Sequence, residues 1–240
     1  MKNIPNTISL INLLTGCIAL VFIFDNQPVT GAVLIVVCSV LDFFDGAAAR
    51  LLKAHSETGK QLDSLADLVS FGMAPASIIY FYLYNSLHHI NHHNTQIVLS
   101  SAAFLIAVFS ALRLARFNTD KESLNYFTGL PTPASALLIV SIPLTLAAVS
   151  TDSFMFNSLV WLTENMWFNL LFIAAVSFLL ISPFRMFSLK VKSLNWKDNR
   201  VRIIFIAGCL LLLVTFGVAA LPLFMIFYIL LSILWPAKAM

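Results

Sequence analysis

Residues 29–52 read VTGAVLIVVCSVLDFFDGAAARLL, an apolar stretch that carries two aspartates, Asp42 and Asp45, near its end. A helix needs about 20 mostly apolar residues to cross a bilayer, so this stretch is long enough. A carboxylate within such a helix raises the free energy of membrane insertion by about 2.5–3.5 kcal/mol, and it usually marks a functional site. The stretch therefore predicts a membrane helix with a functional site near one end.

The composition of the whole chain supports a membrane protein. Of its 240 residues 60% are hydrophobic and 10% are charged, and the mean hydropathy is +0.91. Soluble domains carry about 25% charged residues, so this chain lacks the polar surface of a soluble enzyme, a disordered chain or a free-standing nucleic-acid binder. Cys17, Cys38 and Cys209 lie in apolar runs without CxxC spacing, which argues against a disulfide framework or a zinc site.

The hydropathy pattern predicts an all-α integral membrane protein, a bundle of eight helices that forms one domain over residues 1–240. The predicted spans cover residues 5–24, 29–52, 64–84, 96–116, 132–150, 166–184, 202–217 and 221–236. The last two are short, and fusing them would give seven spans.

The basic residues predict the orientation of these spans. Lys and Arg favour cytoplasmic loops. With eight spans and both termini in the cytoplasm, all 14 Lys and Arg residues lie on the cytoplasmic side. The predicted outside loops hold none of them; these loops are 25–28, 85–95, 151–165 and 217–221. Asp42 and Asp45 then lie at the cytoplasmic face, whereas the cluster of histidines at 88–93 lies in a solvated loop on the opposite side.

Four of the 11 acidic residues lie close together in the sequence, as two pairs. Asp42 and Asp45 are three residues apart and Asp63 and Asp67 are four apart, so each pair shares one face of a helix. The short connection 51–58 predicts that the two helices are antiparallel neighbours and that both pairs face one cleft. Carboxylate oxygens suit Mg²⁺ or Mn²⁺, and two such ions can clamp the entering and leaving oxygens of a phosphoryl transfer.

The residues beside the acids indicate what else would bind there. Residues 46–49 are Gly-Ala-Ala-Ala, which leaves one helical turn almost bare, and Arg50 can offer a fork of donors to a phosphate. Together these features describe a site for a nucleoside diphosphate. Two alternatives remain open on spacing alone. The acids can pair with Arg50, Lys53 and Lys60 in an interfacial salt-bridge network, or they can line the cation pathway of a transporter.

The stretch from Asp42 to Asp67 resembles the signature of the CDP-alcohol phosphatidyltransferases, D-x2-D-G-x2-A-R-x8-G-x3-D-x3-D, and every fixed position matches. Three further segments, 62–75, 112–118 and 127–134, resemble the branch of bacterial and archaeal phosphatidylserine synthases. The resemblance covers roughly residues 4–190.

This resemblance implies a reaction in which CDP-diacylglycerol and L-serine give phosphatidylserine and CMP, with Mg²⁺ or Mn²⁺ required. It also implies a homodimer among membrane lipids, in the inner membrane of a bacterium, with the active site at the cytoplasmic face. The alternative within the family is another alcohol acceptor, such as glycerol 3-phosphate or inositol phosphate.

The resemblance also implies three groups of site residues. Two divalent cations are expected on four aspartates, of which Asp67 is also the expected general base: Asp42, Asp45, Asp63 and Asp67. The residues expected to contact the CDP-diacylglycerol are Pro5, Asn6, Thr7, Ile8, Gly46, Arg50 and Ser56. The residues expected to bind the serine carboxylate or a phosphate are Arg113, Arg116, Asn118 and Arg185.

Overall fold

The computed structural model describes residues 4–52, 56–90, 92–119, 127–186 and 196–235. In these ranges the chain forms eleven α-helices and one pair of two-residue strands. The helices are α1 (Ile4–Phe24), α2 (Pro28–Leu51), α3 (Glu57–Asp67), α4 (Ala74–Ser86), α5 (His93–Ser100), α6 (Leu105–Thr119), α7 (Thr132–Ala148), α8 (Phe154–Glu164), α9 (Met166–Ile181), α10 (Trp196–Phe216) and α11 (Leu221–Leu234). A π-helical turn (Leu68–Met73) joins α3 to α4, and short 3₁₀ turns join α5 to α6 (Ser101–Phe104) and α10 to α11 (Gly217–Ala220).

Within the described ranges, five helical segments are long and apolar enough to cross a membrane, so the chain is an all-α integral membrane protein. They are Ile4–Phe24, Pro28–Leu51, Glu57–Ser86, His93–Thr119 and Asn199–Phe216. The pair α8 and α9, bent by 84°, gives a sixth if it is one span, and α7 and α11 are shorter apolar helices. The count of eight and the orientation of the termini stay predictions.

Helix α8 corrects the sequence analysis, which assigned residues 151–165 to a loop. Ser153 caps the start of α8, where its hydroxyl accepts a hydrogen bond from the Phe156 N–H at 3.1 Å. Asn165 ends α8 and caps α9 in the same way, accepting from the Phe168 N–H at 3.1 Å. Capping side chains of this kind satisfy N–H groups that a helix start leaves unpaired. They allow the chain to turn sharply between two apolar helices.

Helix α1 packs against both α2 and α3, and α2 also contacts the π-helical turn and α4. The sequence predicted that α2 and α3 are antiparallel neighbours; in the structure each packs more on α1 than on the other, while their aspartates face one another. The buried residues of α1 recur every three or four positions and form one face: Pro5, Ser9, Asn12, Gly16, Ala19 and Ile23. A side chain at Gly16 would meet the Ser70 hydroxyl at 2.5 Å, so this glycine lets α1 approach the π-helical turn closely.

The strands β1 (Phe127–Thr128) and β2 (Arg185–Met186) pair in antiparallel register beside α11. Gly129 follows β1 with a φ of +72°, a region that favours glycine, and its N–H donates to the Phe184 carbonyl at 2.9 Å. The next N–H, that of Leu130, donates to the Leu179 carbonyl at 2.8 Å. The segment after β1 is thus fixed against the end of α9.

Replacing Gly129 by alanine is expected to destabilise the protein strongly. The new Cβ would overlap the Leu180 carbonyl oxygen, which is backbone and cannot move aside. Overpacking lowers the free energy of unfolding by about 1–3 kcal/mol. A left-handed backbone conformation adds about 1–2 kcal/mol to this loss for a residue that has a Cβ. Gly217 is the matched control, since its φ is +56° and the structure shows nothing within 4 Å of a Cβ there. Thermal melting in detergent should show a larger loss for Gly129→Ala than for Gly217→Ala, and equal losses would contradict this account.

Candidate active site

Three aspartates from two helices converge at one end of the bundle. One carboxylate oxygen from each of Asp42, Asp63 and Asp67 lies within 4.8 Å of the other two. Asp67 is 9% exposed, and one oxygen each of Asp63 and Asp67 is buried without a hydrogen-bond partner among the described residues. Carboxylates at this spacing repel one another, and buried oxygens without partners are costly. A divalent cation would remove both costs, so these residues fit a metal site for a hard cation.

The fourth aspartate, Asp45, is held by α1. It is 5% exposed, and its Oδ2 accepts a hydrogen bond from the Ser9 hydroxyl at 2.9 Å. The Ser9 hydroxyl also lies 3.1 Å from the Pro5 carbonyl oxygen. Ser9 was not among the predicted site residues, and nothing in the sequence distinguishes it from other small polar residues of this apolar stretch.

A cavity of about 500 Å³ lies beside the acids and runs between α1, α2 and the start of α3. This volume is in the range of small-molecule sites. Seven of the predicted site residues line the cavity: Pro5, Asn6, Asp45, Gly46, Arg50, Ser56 and Asp63. Five lining residues were not among those predicted for the site: Ser9, Ala49, Glu57, Gly59 and Lys60. Of the predicted contacts that the structure describes, Thr7 and Ile8 are not part of this lining.

The start of α3 forms one wall of the cavity. Ser56 is the N-cap, and its hydroxyl accepts a hydrogen bond from the Gly59 N–H at 3.0 Å. A Cβ at Gly59 would lie 2.8 Å from Oδ1 of Asn6 and 2.9 Å from the Ser56 hydroxyl, so the glycine allows α1 and α3 to meet. The N-terminal end of a helix carries partial positive charge and favours an anion. This wall therefore suits a phosphate group.

On the opposite wall, Arg50 lies over Gly46. Its Nη1 is 3.6 Å from where a Cβ at Gly46 would be. The Arg50 side chain is exposed. Beside it, Gly46 and Ala49 leave the surface of α2 without large side chains. A planar guanidinium beside a bare helical turn can bind a phosphate through two hydrogen bonds while a flat group lies against the turn.

The two arginines of α6 occupy different environments, although they are three residues apart. Arg113 is 8% exposed, and its Nε is buried without a hydrogen-bond partner in the described part of the chain. It is an electrostatic neighbour of Asp67. Arg116 is exposed. The structure thus brings Arg113 to the acids and does not bring Arg116 there. Arg185 lies in β2, and its side chain is outside the described atoms.

Asn118 joins α6 to α3. Its side-chain amide donates to the Ser64 hydroxyl at 2.7 Å, and its carbonyl accepts from Nζ of Lys60 at 3.0 Å. These contacts tie Asn118 to the helix that carries Asp63 and Asp67, and its role in binding the acceptor stays a prediction. They also bear on the salt-bridge alternative, because Lys60 is directed to a backbone carbonyl of α6. Lys53, the other lysine of that alternative, lies outside the described residues.

Comparisons of the sequence with known proteins identify its relatives. A profile of the CDP-alcohol phosphatidyltransferase family matches residues 2–181 of the 240. Curated relatives named CDP-diacylglycerol–serine O-phosphatidyltransferase include one from Mycobacterium leprae, 31% identical over 76% of this chain and 57% of the relative. A Helicobacter pylori relative of that name is 36% identical over 57% of this chain and 55% of its own length, and one from Bacillus subtilis is 33% identical over 60% and 77%.

The chain thus spans little more than half of the Mycobacterium and Helicobacter relatives. The family match itself covers α1 to α9 and includes the three converging aspartates and the cavity. The chain belongs to the CDP-alcohol phosphatidyltransferase family.

Proposed function

We propose that this protein is a metal-dependent CDP-diacylglycerol–serine O-phosphatidyltransferase, which transfers a phosphatidyl group to the hydroxyl of L-serine and releases CMP. The observation that carries the proposal is the cluster of Asp42, Asp63 and Asp67 beside a cavity of about 500 Å³. The names of the relatives support serine as the acceptor.

The four aspartates are proposed to hold two Mg²⁺ or Mn²⁺ ions. Asp42, Asp63 and Asp67 offer converging oxygens, and Asp45 keeps one oxygen for a ligand while the other accepts from Ser9. When bound, such ions polarise phosphoryl oxygens and neutralise the charge on a leaving phosphate. The carboxylates supply the negative charge and the oxygen ligands that these ions require.

The remaining groups are proposed to bind the CDP moiety and to move one proton. Arg50 and the start of α3 bind the diphosphate, while Gly46 and Ala49 leave room for the nucleoside. A serine hydroxyl is a weak nucleophile, so it needs a positioned base. Asp67 takes the hydroxyl proton as the serine oxygen bonds to the phosphatidyl phosphorus and the bond from phosphorus to the CMP oxygen breaks.

The placement in the cell follows from the same proposal. The acid end of the bundle is proposed to face the cytoplasm of a bacterium across its inner membrane, because all 14 Lys and Arg residues then lie on that side. There a water-soluble amino acid can meet a lipid-linked nucleotide. The whole chain is proposed to act as one domain, and as a homodimer.

The test uses the purified chain in detergent with CDP-diacylglycerol, Mn²⁺ or Mg²⁺, and labelled serine. We expect CMP release that depends on both metal and serine, with label in the lipid product. Glycerol 3-phosphate and inositol phosphate are each supplied in place of serine as alternative acceptors. Release of CMP with one of these and not with serine would assign a different acceptor. Metal uptake into vesicles without any CMP release would favour the transporter alternative.

Replacing Ser9 by alanine is expected to weaken metal-dependent activity about tenfold. The change removes the hydrogen bond that orients Asp45, and loss of such supporting contacts costs about 10–100-fold in metal affinity or activity. The Mn²⁺ concentration for half-maximal rate is the measurement. Ser141→Ala is the matched control, since Ser141 is a buried serine whose hydroxyl donates to the Leu138 carbonyl within α7. Equal effects of the two substitutions would show that Ser9 has no special role.

A further inference from the structure

Asn12 of α1 is a buried side chain whose polar atoms have no partner. It is 0% exposed, and neither its amide nitrogen nor its amide oxygen has a hydrogen-bond partner within the described part of the chain. Burying a polar atom without a partner lowers the stability of a protein, so such atoms are rare. A bound ion is one of the groups that satisfies them, and the position of Asn12 indicates where that ion would lie.

Two hydrogen bonds fix the level of Asn12 between the helices that carry the acids. Its backbone carbonyl accepts from the Ser70 hydroxyl of the π-helical turn at 3.1 Å and from the Cys38 thiol of α2 at 3.6 Å. Asp42 follows Cys38 by four residues, which is about one turn of α2. Asp67 precedes Ser70 by three residues. Each aspartate is thus about one turn from a residue that contacts the Asn12 backbone.

The side chain of Asn12 is directed toward the level of these two aspartates. Ser9, three residues before Asn12, donates to Asp45, so later residues of α2 lie nearer the start of α1. Asn6 lies against Gly59, so earlier residues of α3 lie nearer the start of α1. Both aspartates therefore lie toward the start of α1 from the Asn12 carbonyl. A helical side chain leans toward the N-terminus of its helix, whereas the carbonyl points toward the C-terminus.

We propose that Asn12 is a further metal ligand: its amide oxygen binds one of the divalent cations held by Asp42, Asp63 and Asp67. The inference rests on the proposed function, and it adds a ligand from a third helix, α1, to the cluster. Asp63 and Asp67 each have one buried oxygen without a hydrogen-bond partner in the described ranges, as the Asn12 amide has. A cation among these atoms satisfies all three oxygens.

The chemistry of a neutral amide suits this position. Mg²⁺ and Mn²⁺ prefer oxygen ligands, and Mg²⁺ requires a near-octahedral set of them. The four aspartates already balance the charge of two divalent cations, so an amide oxygen adds a ligand without adding repulsion. If Asn12 instead supported an aspartate by donating to it, the amide nitrogen would have an acceptor, and it has none among the described residues.

Asn12→Leu tests the inference, because it nearly keeps the volume of the side chain and removes both polar atoms. We expect the affinity for Mn²⁺ to fall about tenfold, as measured in detergent by electron paramagnetic resonance of free Mn²⁺. The melting temperature without metal should stay equal or rise, because an apolar group replaces an unpaired buried amide. Weaker ion binding together with an undiminished metal-free stability is a result that a purely structural asparagine would not give.

Thr145→Val is the matched control. Thr145 is also 0% exposed with a hydroxyl that lacks a partner among the described residues, but it lies in α7, which carries none of the four aspartates. This variant should keep or raise the metal-free melting temperature and leave the Mn²⁺ affinity within twofold of the unmodified protein. Asn12→Asp keeps an oxygen ligand and adds a negative charge, so it should lower the metal-free melting temperature and bind Mn²⁺ at least as tightly as the unmodified protein.

An unchanged Mn²⁺ affinity in Asn12→Leu, or an equal loss in Thr145→Val, would overturn the inference. If Asn12→Leu does not fold, Asn12→Asp decides alone, and a tenfold loss of Mn²⁺ affinity in that variant overturns it as well. Failure of the proposed function is seen separately, as an unmodified protein that binds Mn²⁺ but releases no CMP with serine.

Discussion

Replacing Asp67 by asparagine is expected to abolish serine-dependent CMP release, with a loss of about 10³-fold or more. The amide has nearly the shape of the carboxylate but cannot accept the hydroxyl proton, and general-base catalysis contributes about 10²–10⁴-fold. It also removes one oxygen ligand from the cluster with Asp42 and Asp63. The rate of CMP release at saturating serine and Mn²⁺ is the measurement.

The fold should survive the Asp67→Asn change. The substitution takes one negative charge out of a group of like charges, so without metal the melting temperature should stay equal or rise. Loss of activity together with an intact melting transition would therefore be a chemical effect. A variant that retained a near-normal rate would refute Asp67 as the base and would leave the cluster with a metal-binding role alone.

Replacing Asp42 by asparagine is expected to weaken Mn²⁺ binding about 100-fold, because even the loss of a supporting contact costs about 10–100-fold. A titration followed by electron paramagnetic resonance of free Mn²⁺ measures this without any turnover. Asp25→Asn is the matched control, since Asp25 is exposed at the other end of α1, where it accepts a hydrogen bond from Gln27. If both variants bound Mn²⁺ as the unmodified protein does, the three-aspartate cluster would not be the metal site.

The convergence of the aspartates was predictable, whereas the packing of α1 against both acid-bearing helices was not. Spacings of three and four residues place Asp42 with Asp45 and Asp63 with Asp67 on any helix, whatever surrounds them. The placement of α1 against both acid-bearing helices depends instead on tertiary packing. Ser9 and Gly16 read as ordinary small residues of an apolar span, and only their partners reveal their use.

The arginines of α6 show the other limit of helical spacing. Positions 113 and 116 share a face of a helix, and the resemblance implied that both bind the substrate. In the structure Leu114 is the last buried residue of α6, and Arg116, almost one turn beyond Arg113, is exposed. Helical spacing predicts which face of a helix a residue lies on, but it does not predict where along the helix the buried part ends.

The π-helical turn Leu68–Met73 begins directly after Asp67. Each of its hydrogen bonds spans five residues instead of four, so the turn holds one more residue than a regular α-helical turn. Deleting a single residue there would let a regular α-helix form; α3 and α4 would keep nearly the same relative orientation, but the buried residues of the turn would lose their register against α1 and α6. Since Ser70, Phe71 and Gly72 are buried in this turn, both its length and its inward side chains hold the helix that carries Asp63 and Asp67 against its neighbours.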